Sequence, residues 1–126
     1  ENINKRKLLR TDVTYTILNW MESVVDYGSG KGVKTPGYRI AGKTGTAQKA
    51  LNGIYQPGLK ICSFVAILPV EDPRFVVAVA VDSPKRSYAY GSTVAVPVAK
   101  KIIESLIVVE KIPPINNQTD FLSAQS

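Results

Sequence analysis

Histidine is absent from the 126 residues, and cysteine occurs once, at Cys62. The first absence removes every Ser/His/Asp or Cys/His relay within the chain, so acid and base work would fall to lysine, carboxylate or tyrosine. The second rules out an internal disulfide, and the two together remove thiolate-rich and imidazole metal sites. No metal and no other cofactor is expected. Cys62 lies in the apolar run KICSFVAIL and reads as a small apolar filler. No run approaches the roughly 20 apolar residues of a membrane helix, and no charged, apolar, small-residue series of the secretory kind is present. As given, the chain is expected to be soluble.

Positive charge is not scarce: 16 Lys and Arg against 10 Asp and Glu give a net charge of +6. That balance invites a nucleic-acid reading. Its distribution argues against one, because Lys5, Arg6, Lys7 and Arg10 precede the first expected helix, Lys85 and Arg86 share a loop, and no aromatic stacking platform accompanies them. A solvated basic surface, facing an anionic polymer or a membrane, fits better. With 44% hydrophobic and 21% charged residues the composition is that of one globular domain. The opening ENINKRKLLR is charged and leads straight into a helix, so the chain is expected to begin in mid-domain.

From Thr11 to Val25, the residues Val13, Ile17, Trp20, Met21 and Val24 share one face of a helix that Thr11 or Asp12 can cap and Gly28 ends. The glycine-rich loop that follows is expected to be flexible and to close at Pro36 and Gly37. YRIAGKTGTAQ, Tyr38 to about Gln48, alternates as a strand, and KALNGIYQPG reads as a loop with an Asn52-Gly53 turn. LKICSFVAIL and RFVVAVAVD, separated by PVEDP, form a hairpin. Phe75–Val81 is apolar at every position, which predicts a central strand with both faces covered. Ser92–Val109 reads as a long helix with Pro97 in its first turn. The fold class is therefore α+β, an antiparallel sheet flanked by helices, over residues 1–110, with 111–126 a flexible C-terminal tail.

GYRIAGKT, Gly37 to Thr44, satisfies the G-x-x-x-x-G-K-[ST] spacing of a phosphate loop, and FVVAVAVD ends an apolar strand in Asp82. Context excludes both as nucleotide elements. A phosphate loop follows a strand and opens a helix, whereas here a glycine-rich loop precedes the motif, Tyr38–Ala41 is strand-like, and no helix of ordinary length fits downstream. Asp82 precedes Ser83-Pro84 and reads as a turn residue. No nucleotide is expected.

On an edge strand, Lys43 and Gly45 point one way and Thr44 and Thr46 the other. Gly45 leaves bare backbone that a ligand can approach, and an extended peptide could add there as a strand. Lys43 offers a cation to a carboxylate, the threonines offer hydroxyls, and a backbone N–H could serve an oxyanion. Such a site suits an acyl substrate bearing a carboxylate.

K-T-G is also the third motif of serine enzymes that react with penicillin, beside S-x-x-K and S-x-N. PGYRIAGKTGTAQK, SFVAILPVEDPRFVVAVAVDSPK and YAYGSTVAVPV, in that order, resemble the C-terminal third of class B penicillin-binding proteins, over residues 11 to 109. The resemblance implies a penicillin-binding/β-lactamase-like transpeptidase domain: a peptidoglycan D,D-transpeptidase of cell-wall synthesis and division that cross-links stem peptides through a serine acyl-enzyme, with β-lactams as covalent inhibitors. It implies that Lys43 binds the substrate carboxylate and shapes the proton relay. Thr44 and Gly45 would hold the strand beside the nucleophile, and Thr46 would give a hydroxyl to the carboxylate and an N–H to the oxyanion hole. It further implies a parent anchored in the bacterial cytoplasmic membrane, with this domain outside the cytoplasm and division or elongation membrane proteins as partners. The chain departs from the pattern in having no S-x-x-K and no S-x-N. It is expected to be a fragment that is inactive alone; the alternative is a non-catalytic peptide-binding module using the same KTGT edge strand.

Overall fold

Three extended segments, broken by the Asn52-Gly53 pair and the PVEDP stretch, fold back on themselves twice into a three-stranded antiparallel sheet. The computed structural model describes residues 6–85 and 88–115. Its strands are β1 (Ala41–Leu51), β2 (Ile54–Leu68) and β3 (Phe75–Asp82), in the spatial order β1-β2-β3. Helices α1 (Thr11–Tyr27) and α2 (Val96–Val109) bracket the sheet in sequence, with a 3₁₀ turn at Lys31–Val33 and a π-helical turn at Gly91–Ala95. The α+β expectation holds.

β1 pairs with the Lys60–Leu68 segment of β2, running from Ala41 opposite Ile67 to Gln48 opposite Lys60. The strand starts three residues later than its alternation suggests and runs on to Leu51. The stretch read as a loop is mostly strand: Leu51 faces Ile54 across a two-residue turn, with Asn52 at φ 51° and Gly53 at φ 79°. Both values suit the tight hairpin turns that Asn-Gly favours. An irregularity between Gln48 and Ala50 absorbs the extra residues around Pro57 and Gly58 on β2.

Phe64, Ala66 and Leu68 of β2 and Val77 of β3 point to one face and pack with Ala95, Val96, Ala99 and Ile103, so α2 and its entry cover that side. On the other face Leu18 of α1, backed by Met21, meets Ala41, Val70 and Ile67, covering only the end of the sheet near the start of β1. The expectation that β3 is central with both faces covered is therefore corrected. It is an edge strand among the described residues, its side chains alternate, and Val76 is 69% exposed. Continuous apolarity reflected composition, not two buried faces.

In α1 the row that packs is Leu18, Met21 and Val25, not the one through Val13, Ile17 and Trp20; Trp20 is 68% exposed. The helix carries two apolar rows, and a bidentate ion pair lies beside the one that packs. Arg39, just before β1, donates from Nε and Nη2 to the two carboxylate oxygens of Glu22, each at 2.7 Å, on the side of the helix that meets the sheet. Neither Thr11 nor Asp12 caps α1: the cap position is Arg10, whose guanidinium holds Asp12. Gly28 is the C-cap, as expected, its N–H donating to Val24 O.

The loop beyond it is ordered, since Val33 is fully buried and a Thr35–Tyr38 turn places Gly37 at φ 82°. Pro97 lies in the first turn of α2, as read from the sequence. The helix itself has no side-chain cap at its N-cap Ala95; the π-helical turn ahead of it is capped at Tyr90, whose N–H donates to Thr93 Oγ1 at 2.9 Å. Within the stretch read as a tail, Ile112 is buried and the Ile115 N–H donates to Gly37 O at 2.8 Å; residues 116–126 lie outside the described residues.

Candidate functional site

The motif Lys43-Thr44-Gly45-Thr46 lies along the outer strand of the sheet, where β1 pairs with β2 on one side and with no other strand among the described residues. A strand, not a helix, begins at Ala41, which disposes of the phosphate-loop geometry. The pleat splits the four residues as their parity requires. Lys43 and Gly45 face the side of Val65 and Ser63, and Thr44 and Thr46 face the side of Phe64 and Cys62.

Lys43 is exposed, and its ammonium donates to the carbonyl oxygen of Thr44 at 2.9 Å. This bond lies within one residue, so the cation remains available to an incoming anion at a small cost. Thr44 is half-buried, and its hydroxyl shares a 2.7 Å hydrogen bond with Ser29 in the loop after α1. Beneath the motif, Gly42 gives its side-chain space to Phe64, whose ring would lie 2.5 Å from a Cβ there. A residue with a side chain at position 42 would push the strand off its core.

The bare backbone at Gly45 is approached by two parts of this same chain. Ser63 Oγ would lie 2.6 Å from a Cβ at Gly45, and Gly91 presses on the backbone so closely that its own Cβ would be 2.8 Å from Gly45 O and 2.5 Å from Ser63 O. Thr46 Oγ1 accepts the Gly91 N–H at 3.1 Å. The YAYG segment is thus fastened across β1 and β2, with Tyr88 and Tyr90 at the surface and the Lys60 ammonium 4.7 Å from the Tyr90 ring centre.

Ser29, Ser63 and Gly91 were not singled out from sequence as site residues; only the aromatic-glycine pattern around Gly91 offered a signal. At the far end of the sheet Lys49 crosses from β1 to Asp82 Oδ1 at 2.7 Å, and Ser83 Oγ donates to the same oxygen at 2.6 Å. The Lys49 ammonium first, and then the Ser83 hydroxyl, hold the Asp82 carboxyl below its ordinary value. No group of three or more His, Cys, Asp or Glu able to hold a metal occurs among the described residues, and no helix there is long and apolar enough to cross a membrane.

An edge strand bearing this motif, a hairpin behind it and a helix packed on the hairpin is an arrangement that can be compared as a whole. The family whose model matches the chain, over residues 2–104, is the penicillin binding protein transpeptidase domain. The chain belongs to that family. Among curated relatives of the transpeptidase chain, a peptidoglycan D,D-transpeptidase FtsI homolog of Mesostigma viride is 45% identical over 121 residues, covering 90% of this chain and 20% of the relative. Stage V sporulation protein D of Bacillus subtilis is 38% identical over 118 residues, covering 94% of this chain and 18% of the relative. The chain thus spans about a fifth of the length of these relatives.

The transpeptidase domain of Burkholderia pseudomallei penicillin-binding protein 3 superposes with a TM-score of 0.72 at 35% identity, covering 82% of this chain and 31% of that one. Penicillin-binding protein 3 of Mycobacterium tuberculosis, solved with ampicillin, gives a TM-score of 0.73 at 28% identity, covering 86% and 26%. The expected fold and family are both confirmed.

Proposed function

We propose that this chain is the C-terminal part, residues 1–110, of the catalytic domain of a peptidoglycan D,D-transpeptidase, and that its KTGT strand forms the substrate-carboxylate wall of the active site. The observation that carries the reading is the exposed Lys43 ammonium on an edge strand with no second strand partner among the described residues, in a chain of the transpeptidase family. An extended stem peptide would add along that edge, with its C-terminal carboxylate beside Lys43 and the Thr44 and Thr46 hydroxyls.

The nucleophilic serine and its lysine partner would come from a part of the protein preceding these residues. That serine would attack the penultimate carbonyl, expel D-alanine and form an ester, with the Thr46 N–H donating to the developing oxyanion. An amine of a neighbouring stem peptide would then take the acyl group and return the serine hydroxyl. The ampicillin-bound relative supports β-lactams as ligands of the same site. The names of the relatives support peptidoglycan as substrate. Membrane anchoring of the parent, with this domain outside the cytoplasm, and assembly with division or elongation proteins belong to the same proposal.

The test is acylation of the full-length protein by a fluorescent penicillin, followed by peptide mapping. The expected result is one adduct, on a serine of an S-x-x-K motif outside residues 1–126. Absence of any covalent adduct in folded protein refutes the transpeptidase reading and favours a non-catalytic peptide-binding module.

A further inference from the structure

We infer that Gly91 is a positioning residue for recognition of the substrate carboxylate, acting through the hydroxyl of Thr46. The inference rests on the transpeptidase reading and adds to it a residue outside the KTGT motif.

Two observations carry it. First, the Gly91 N–H donates to Thr46 Oγ1 at 3.1 Å, and among the described residues no acceptor receives the hydrogen of that hydroxyl. A hydroxyl has one hydrogen and two lone pairs, so a fixed donor on one lone pair leaves the hydrogen the remaining directions. Thr46 is exposed, so that hydrogen is open to an incoming anion. Gly91 thereby fixes Thr46 as a donor, the role an anionic carboxylate requires and a neutral ester uses far less.

Second, the approach that makes this bond possible excludes a side chain. A Cβ at position 91 would lie 2.5 Å from Ser63 O and 2.8 Å from Gly45 O. Both atoms are backbone of paired strands, Gly45 opposite Ser63, and neither can yield without breaking the β1–β2 ladder. The residue bearing the Cβ must lift instead, carrying its N–H away from Thr46. The YAYG loop therefore sets the donor geometry of the KTGT strand by contact.

The experiment compares, in the full-length protein, second-order acylation rates for benzylpenicillin and its methyl ester. Wild type is expected to prefer the carboxylate. Gly91→Ala should lower the acid-to-ester ratio about tenfold, as expected when a hydrogen bond to a charged group is lost. Thr46→Val should do the same, and the double variant should lower the ratio no further than either single change. A ratio unchanged in Gly91→Ala, or equal losses for acid and ester, overturns the inference while leaving the transpeptidase reading intact; no acylation of wild type overturns both.

Should Gly91→Ala fail to fold, hydrogen exchange at the Gly91 amide decides instead. Exchange should be slowed in wild type and released by Thr46→Val, and equal exchange in the two proteins overturns the inference.

Discussion

Replacing Lys43 by alanine is the sharpest perturbation of the proposed site, because the structure separates its effect on folding from its effect on substrate. The side chain is exposed, and its one hydrogen bond runs to the carbonyl of the next residue. Folding should therefore change by no more than about 0.5 kcal/mol, as for surface substitutions away from special features. Toward an incoming carboxylate the ammonium is worth more. Two unit charges 4 Å apart interact by about 1 kcal/mol in bulk water and about 4 kcal/mol at the effective dielectric of a protein surface, which brackets the 1.5–3 kcal/mol typical of a hydrogen bond to a charged group. Benzylpenicillin acylation of the full-length protein should then fall by roughly ten- to a hundredfold, at an unchanged melting temperature.

Lys43→Arg should recover only part of the loss, since a planar fork does not reproduce a compact ammonium beside a strand. The assay is the second-order rate constant of acylation, measured with stopped-flow mixing or gel readout of a labelled penicillin. Acylation of the alanine variant at the parental rate would make Lys43 a surface lysine and remove the role assigned to the motif.

Phe64 is wholly buried beneath Gly42 and Thr44, so Phe64→Ala should cost about 3–5 kcal/mol in the full-length domain, read as a lowered denaturant midpoint. Glu22→Gln should cost about 1–2 kcal/mol, because the Glu22–Arg39 pair is bidentate and Glu22 is largely covered; a double-mutant cycle with Arg39→Gln should return a coupling above the 0.2–1 kcal/mol usual for exposed pairs, and a coupling near zero would refute the claim that this pair fastens α1 to the start of β1. The Asp82 carboxyl is depressed in the folded state, so the stabilisation it brings is present above its ordinary value of 3.8 and is lost as pH falls through the depressed value. The stability difference between the parent and Asp82→Asn should therefore be constant near neutrality and shrink below about pH 4, whereas a difference independent of pH would exclude the Lys49–Asp82 contact as its cause.

The sheet was legible because its signals are local. Asn52-Gly53 encodes a turn, and the alternation from Tyr38 to Gln48 encodes a strand whose parity sends Lys43 and Gly45 to one face and Thr44 and Thr46 to the other. What failed were inferences that need knowledge of the other side of an element. The unbroken apolarity of β3 gives no indication that Val76 faces outward, and periodicity does not tell the two apolar rows of α1 apart, because the groups that the packed row meets, Ala41 and Val70 among them, lie elsewhere in the chain.

The site divides along the same line. Its four motif residues are contiguous and could be named from sequence, whereas the groups that orient them come from loops brought in by tertiary structure: Ser29 to the Thr44 hydroxyl and Gly91 to the Thr46 hydroxyl. In the sequence Gly91 is one of nine glycines and has no distinguishing neighbour beyond two tyrosines. Its constraint is not a turn, since it needs no left-handed backbone; it lies in the carbonyls of Gly45 and Ser63, residues 46 and 28 positions earlier, which leave no room for a methyl group. A requirement of that kind is a property of the space between elements, and only the folded arrangement of β1, β2 and the loop entering α2 creates it.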